Sequence, residues 1–241
     1  MRSDKIKLIS FSGIDGAGKS TQIEGLRSHL RELGFRSALL IFWDDIAVFP
    51  HLREHLSAKA FKGDQGVGSP DNPIRRRDKN VTSWYMTVFR LFLYLFDAYS
   101  LRVAVSTSSN SDTAFIIFDR YIYDELANLP LNHRPVRLFV RLLLSFVPRP
   151  DLAFLVDADP QAAHKRKPEY PLEFAVKNRD SYIVLSRLVQ GLNVIAPLSV
   201  EETAAIIRQS IFEKCLRTSR APVEFHFQFP PARGHAKNRN A

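Results

Sequence analysis

The stretch "FSGIDGAGKSTQ", residues 11–22, follows a short apolar run, opens a helical pattern and decides the fold. Residues 13–20 match G-x-x-x-x-G-K-[ST] at every fixed position. Glycines lack a Cβ, so their backbone N–H groups can turn inward and approach phosphate oxygens. The helix that follows adds the positive end of its dipole. A turn that only joins a strand to a helix needs neither the lysine nor the hydroxyl. The stretch therefore predicts a loop that binds a nucleoside triphosphate.

Charged and hydroxyl side chains in and beyond this loop suit a triphosphate and its metal. Lys19 reaches the β- and γ-phosphates as a point charge, and the Ser20 hydroxyl ligates Mg²⁺. In "FIIFDRY", Asp119 ends an apolar strand, where ligands bind in open α/β sheets. Its carboxylate either holds the magnesium water shell opposite Ser20 or caps a helix, while Arg120 suits a phosphate better than the core. We therefore expect a nucleoside triphosphate and Mg²⁺ at this loop.

Short apolar strands alternate with helical patterns along the chain. Predicted strands cover residues 5–12, 37–43, 114–119, part of 150–159, and 194–196. Predicted helices cover residues 19–33 with a stop at Gly34, then 50–60, 81–106, 136–147 and 200–217. Residues 61–80 are rich in glycine, proline and arginine, which is typical of a loop. Strands separated by helices imply parallel pairing and a doubly wound, three-layer α/β fold.

The totals narrow the class of protein. A formal net charge of +9 over 241 residues favours polyanionic partners such as nucleotides, nucleic acid or anionic lipid, without choosing among them. A single cysteine, Cys215, excludes an internal disulfide and fits a reducing compartment. Charged residues interrupt the apolar stretches, so these predict buried amphipathic helices. We expect a cytoplasmic protein with no stable nucleic-acid or membrane partner.

The composition changes near the end of the chain. Residues 220–241 hold prolines, few aliphatic residues and a basic end, which predicts a disordered tail or an RNA- or lipid-binding arm. Residues 1–219 then form a single catalytic domain.

The chain resembles thymidylate kinases and their nucleoside monophosphate kinase relatives. "GIDGAGKSTQ" is similar to that family's P-loop, including Asp15, and "DRY" at residues 119–121 matches its Asp-Arg motif. "RPDLAFLVDADPQAAHKRK" resembles its fourth strand and the start of its mobile lid, and "NVIAPLSVEETAAII" resembles its last strand and adenine-side loop. The resemblance implies a three-layer P-loop kinase fold with a five-stranded parallel sheet and a lid at about residues 164–180. It also implies an ATP-dependent nucleotide kinase.

The resemblance also assigns roles to residues. It implies ATP binding by the loop and by two basic residues of the lid: Gly13, Asp15, Gly16, Ala17, Gly18, Lys19, Ser20, Thr21, Arg166 and Arg179. It implies catalytic roles near the transferred phosphoryl group for Asp15, Lys19, Asp119, Arg120 and Arg166. Ser20 and Asp119 would hold the metal. The basic run that contains Arg166 equally fits a solvated surface. The absence of a guanine-reading Asn-Lys-x-Asp pattern favours ATP.

The sequence departs from the family where the acceptor should bind. After the second strand, relatives carry a run with proline and arginine, but this chain has "FWDDIAVFP". Carboxylates repel a phosphate dianion, whereas a hydroxyl acceptor gains from a carboxylate base. These aspartates act as a base or cap the next helix. Candidate acceptor contacts are Asp44, Asp45, Arg53, Arg90, Phe96, Asp97 and Tyr121.

Three functions remain open at this stage. The first is phosphorylation of a nucleoside monophosphate, with dTMP as the first expectation. The second is phosphorylation of a hydroxyl on a nucleoside, a sugar or a glycan-related metabolite. The third is ATP binding without turnover. Relatives commonly form dimers through a helix near the acceptor site, so helix 81–106 predicts a homodimer or a helix buried in the monomer.

Overall fold

A five-stranded, all-parallel sheet forms the centre of the molecule. The computed structural model describes residues 6–47, 84–108 and 113–216. Its strands are β1 (Lys7–Ser12), β2 (Ser37–Ile41), β3 (Phe115–Asp119), β4 (Leu152–Val156) and β5 (Leu192–Ile195). They lie in the order β2-β3-β1-β4-β5. The predicted α/β fold with five parallel strands is therefore confirmed.

Helices surround the sheet and supply its crossover connections. They are α1 (Lys19–Glu32), α2 (Trp84–Ser108), α3 (Ile122–Leu126), α4 (Arg134–Phe146), α5 (Pro160–Arg166), α6 (Leu172–Ser186) and α7 (Val200–Ile211). Two π-helical turns, Phe42–Ile46 and Phe212–Leu216, follow β2 and α7. The helix α6 was not predicted, although it carries residues that matter for the site.

The three central strands have the largely apolar sequences that are typical of a parallel sheet covered on both faces. "LISF" in β1, "FIIF" in β3 and "LAFLV" in β4 are buried. Across β1 and β4, the rings of Phe11 and Phe154 lie 5.4 Å apart. In contrast, β2 is only half-buried and β5 exposes its two middle residues. The rigid part of the sheet is therefore the part whose carboxyl ends carry the phosphate-binding loop and Asp119.

Several predicted boundaries move in the structure. The second strand ends at Ile41 rather than at residue 43, because the Asp45 carboxylate accepts a hydrogen bond of 2.6 Å from the Ile41 N–H and the chain turns. The last strand starts at Leu192 rather than at residue 194. The α-helical part of the last helix ends at Ile211, and a π-helical turn continues it to Leu216.

Other predictions fall outside the described residues. These are the helix at 50–60, the loop at 61–80 with its arginines, the tail at 220–241 and therefore the domain boundary at 219. Among the helices that the structure describes, none combines the length and apolar character needed to cross a bilayer.

Candidate active site

The phosphate-binding loop has a backbone that depends on its glycines. Gly13, Gly16 and Gly18 have φ angles of 140°, 79° and 90°, which residues with a side chain rarely adopt. A Cβ on Gly13 would lie 2.5 Å from the Val156 carbonyl oxygen, and one on Gly16 would overlap the carbonyl of Ala163 in α5. The loop therefore packs directly against the end of β4 and against α5.

Lys19 lies beneath this loop and is almost fully buried, with 6% of its surface exposed. Its ammonium donates hydrogen bonds to the carbonyls of Gly13 at 2.8 Å and Ile14 at 2.9 Å. Burial lowers the pKa of Lys19 to about 8, and the positive charge of Arg120 adds to this effect. An ammonium has three donors, so the two carbonyls hold Lys19 in place while leaving capacity for a phosphate oxygen.

Arg120 lies beside Lys19, at the end of β3, in a strained backbone conformation. Its φ angle is 67°. Among the non-glycine residues that the structure describes, Arg120 is the one with a positive φ. Its guanidinium forms an ion pair with Asp15 of the loop and lies 3.6 Å from the Asp124 carboxylate. Burial acts to lower the pKa of Arg120, but the carboxylates of Asp15 and Asp124 outweigh it and raise that pKa above its usual value.

Ser20 and Asp119 carry side-chain oxygens of the kind that ligate a metal. Ser20 follows the loop at the start of α1, and Asp119 ends β3. The Ser20 side chain is exposed in the first turn of α1, and Asp119 is half-buried at the end of β3. Asp119 pairs in register with Phe11 of β1, two residues before the loop begins. A hydroxyl and a carboxylate are ligands that Mg²⁺ accepts together with phosphate oxygens. The residues present therefore fit Mg²⁺ bound to a triphosphate in the glycine cradle.

Asp124 belongs to the same cluster, and the sequence analysis missed it. Its carboxylate accepts hydrogen bonds from the Ser12 hydroxyl at 2.6 Å, the Tyr121 N–H at 3.0 Å and the Tyr182 hydroxyl at 2.7 Å. One local signal was available, because an aspartate three residues after Tyr121 suits the start of a helix. The partner on α6 lies 58 residues away in sequence, so no local pattern could reveal it.

The two predicted lid cations occupy different surroundings. The Arg179 guanidinium on α6 binds the Asp157 carboxylate through two hydrogen bonds, of 2.6 and 2.7 Å. Arg166 is exposed in the last turn of α5, where its Nε donates to the Ala162 carbonyl at 3.2 Å. Their roles in ATP binding stay predictions. Arg179 would have to share its charge between Asp157 and a phosphate.

A cleft separates the phosphate-binding loop from α5, α6 and the segment that joins them, which we call the lid region because the resemblance predicts a lid there. Ile14 and Asp15 line one side. The other side includes Lys167, Tyr170, Phe174 and Asn178. Asp15 therefore borders this cleft and the Arg120 guanidinium at once, at the point where the lid region meets the loop.

The predicted acceptor contacts are spread over the turn after β2, helix α2 and the residue before α3. Asp44 and Asp45 are exposed in the turn after β2, and the bond from the Ile41 N–H makes Asp45 a cap of that turn. Arg53 lies outside the described residues. Along α2, Arg90 is half-buried, Phe96 is exposed and Asp97 is fully buried.

Tyr121 is also buried, and its hydroxyl donates a hydrogen bond to the Pro148 carbonyl. Burial raises the pKa of Tyr121 well above its usual value, with the neighbouring Tyr123 adding to the effect. The described structure thus brings Asp15, Lys19, Asp119 and Arg120 together, whereas the acceptor roles of the other residues stay predictions.

Comparison with known proteins finds relatives that are named thymidylate kinase. The chain is 23% identical over 214 residues to a protein of Methanosphaera stadtmanae named probable thymidylate kinase, covering 87% of this chain and 97% of that protein. It is 27% identical over 180 residues to the thymidylate kinase of Chlorobaculum parvum, covering 72% of each. No family model matches the chain.

A solved thymidylate kinase structure resembles this chain in fold. The crystal structure of thymidylate kinase from Ehrlichia chaffeensis superposes with a TM-score of 0.53 and 18% identity. The superposition covers 85% of this chain and 97% of that one, so the likeness extends over the whole domain.

Proposed function

We propose that the chain is a thymidylate kinase-like member of the P-loop nucleoside monophosphate kinases and that it transfers the γ-phosphoryl group of Mg-ATP to a nucleoside monophosphate, with dTMP as the first acceptor. One observation carries the proposal. A glycine loop with a buried lysine meets the ion pair of Arg120 and Asp15 at the carboxyl edge of the sheet.

Electrostatics explains how this arrangement would act. Phosphoryl transfer spreads negative charge over the phosphoryl oxygens in the transition state, and cations held in advance stabilise that charge. Lys19 is held by two carbonyls and Arg120 by carboxylates, so neither has to be ordered during the reaction. Ser20 and Asp119 would hold Mg²⁺, which when bound supplies additional positive charge on the phosphates.

A second candidate acceptor is a hydroxyl group, and Asp44 favours it. A general base needs an available carboxylate. Asp45 is engaged by the Ile41 N–H, whereas Asp44 is exposed and makes no hydrogen bond or ion pair with the residues that the structure describes. Asp44 is therefore the better candidate for a base acting on a nucleoside, sugar or alcohol.

The deciding experiment is acceptor-dependent ADP release from Mg-ATP by the purified protein. The panel holds dTMP, dUMP, UMP, CMP, thymidine and simple sugars. We expect the highest turnover with dTMP. Turnover with thymidine or a sugar alone would replace the proposal with the hydroxyl acceptor. ATP binding without ADP release for any acceptor would identify a binding protein instead. We also propose a cytoplasmic location, since the single cysteine fits a reducing compartment.

We also propose that the protein forms a homodimer through α2. This helix exposes large apolar side chains, each at least 41% exposed: Val88, Phe92, Leu95, Phe96, Tyr99 and Val103. Their spacing follows one side of the helix. The molar mass in solution, measured by light scattering for the wild type and for Phe92→Glu, tests this. We expect a dimer that dissociates in the variant, and a monomeric wild type would contradict it.

A further inference from the structure

Arg120 is held between carboxylates from two different parts of the fold. Asp15 approaches from the phosphate-binding loop, at the edge of the cleft. Asp124 approaches from α3 and is 4% exposed. Because Asp15 lines the cleft, a phosphate that entered the cleft would compete with Asp15 for the guanidinium. Asp124 lies behind Arg120, in the protein, where it can stay paired while a phosphate binds.

The Asp124 carboxylate has little freedom to move. One oxygen accepts hydrogen bonds from Ser12 at the end of β1 and from the Tyr121 N–H at the start of α3. The other oxygen accepts from Tyr182 of α6 and faces Arg120. A buried carboxylate is stable only when donors satisfy it. Here donors from separate elements fix both its position and its rotation.

Tyr182 connects this carboxylate to α6. Its side chain is buried, with 3% of the residue exposed. Burial, together with the charge of Asp124, raises the pKa of Tyr182 well above its usual value, so the hydroxyl keeps its proton. Three residues earlier on the same helix, Arg179 binds Asp157 next to the end of β4. Tyr182 thus attaches α6 to α3, and Arg179 attaches it to the carboxyl edge of the sheet.

We propose that Asp124, held by Tyr182, is the positioning residue for Arg120. It orients the guanidinium toward the terminal phosphate of a bound triphosphate and connects that orientation to α6. The inference rests on the proposed function, because it assigns Arg120 to the phosphate that is transferred. The order of contacts supports it: Tyr182 bonds to Asp124 at 2.7 Å, and Asp124 lies 3.6 Å from Arg120.

The test compares the binding of Mg-ADP with that of the slowly hydrolysed Mg-ATPγS by calorimetry. Asp124→Asn keeps the shape of the side chain and removes its charge, while Tyr182→Phe removes one hydroxyl. A hydrogen bond to a charged group contributes more than a neutral one. We therefore expect Asp124→Asn to lower the preference for ATPγS over ADP by about tenfold and Tyr182→Phe by about threefold. Affinity for ADP should stay within about twofold of the wild type.

Two further variants of this chain distinguish a positioning role from a merely structural one. Tyr94→Phe is the matched control, since the Tyr94 hydroxyl is also buried and donates to the Glu125 carbonyl at 3.2 Å. This variant should keep the full preference for ATPγS. In an Arg120→Met background, adding Asp124→Asn should have no further effect on that preference, because the group it positions is gone.

Other results would overturn the inference. Equal losses of ADP and ATPγS affinity, or a further loss from Asp124→Asn in the Arg120→Met background, would show that Asp124 only supports the fold. If Asp124→Asn does not fold, Tyr182→Phe against Tyr94→Phe decides alone. The binding assay needs no acceptor. A protein that loses its ATPγS preference in these variants, yet turns over no acceptor, would support the positioning role and overturn the proposed kinase.

Discussion

The proposed nucleotide side and the proposed acceptor side of the site are built differently. On the nucleotide side, Lys19 and Asp124 are buried, and Arg120 is held between two carboxylates. On the acceptor side, Asp44 and Asp45 are exposed on a short turn after an edge strand, and Asp45 bonds to the backbone of that turn.

This difference reflects what each side must recognise. The phosphate oxygens of a triphosphate are the same whichever acceptor is used. The protein can therefore hold the groups that bind these oxygens fixed in advance. An acceptor varies between enzymes, and its contacts come from side chains on exposed segments. The nucleotide side should therefore respond to mutation with large losses of activity, and the acceptor side with changes of preference.

The largest effect is expected from Lys19→Ala. Removal of the ammonium should lower kcat by about a thousandfold or more and weaken ATP binding, because no other group replaces its charge at the β- and γ-phosphates. Steady-state ADP release and calorimetry measure the two effects. Equal turnover in wild type and variant would remove the loop from the mechanism.

The next effect concerns the loop backbone. In Gly16→Ala, the added Cβ would overlap the Ala163 carbonyl at a positive φ, which should cost about 1–3 kcal/mol and most of the ATP affinity. Gly25→Ala is the matched control, since Gly25 lies in α1 with open space around it. That variant should gain about 0.5–1 kcal/mol of stability. Urea unfolding and ATP titration of both variants check this, and a neutral Gly16→Ala would contradict the close packing.

The acceptor side should give a smaller, selective effect. If dTMP is the acceptor, Asp44→Asn removes a repulsive charge and should lower the KM for dTMP by about threefold without changing ATP affinity. Asp45→Asn should instead weaken the turn by about 1 kcal/mol, as loss of a cap does. Kinetics with varied dTMP and thermal unfolding distinguish the two. A loss of rate in Asp44→Asn with unchanged ATP affinity would indicate a base and a hydroxyl acceptor.

The smallest effect is expected for Cys215, near the amino ends of the strands. Cys215 lies close enough to Asp151 and Lys7 there for their charges to act on its thiol. Burial raises the pKa of the Cys215 thiol to about 11, with Asp151 adding to the shift. The reactive thiolate is therefore rare at pH 8, and its fraction rises about tenfold per pH unit toward that pKa. Alkylation followed by mass spectrometry should show slow labelling that Mg-ATP does not change. Protection by Mg-ATP would mean that nucleotide binding at the carboxyl ends of the strands also affects their amino ends.

Much of the nucleotide side was predictable from local sequence. The glycines, Lys19 and Ser20 stand at fixed spacing because a strand, a tight loop and a helix must follow one another directly around a phosphate. Asp119 was predictable because a parallel strand that is buried on both faces is continuously apolar up to the edge where ligands bind. The parallel sheet inferred from these patterns is confirmed, and relatives named thymidylate kinase agree with the family resemblance.

Tertiary structure alone decided the contacts that hold the site in place. Tyr182 reaches Asp124 across 58 positions, and Arg179 reaches Asp157 across 22, through a helix that the sequence analysis did not predict. The cap that Asp45 forms on Ile41 is different, because it is a local contact and capping was one of the alternatives that the sequence left open. A motif records the geometry of neighbouring residues in the chain. Hydrogen bonds between distant elements depend on how helices pack against the sheet, and packing depends on the whole core.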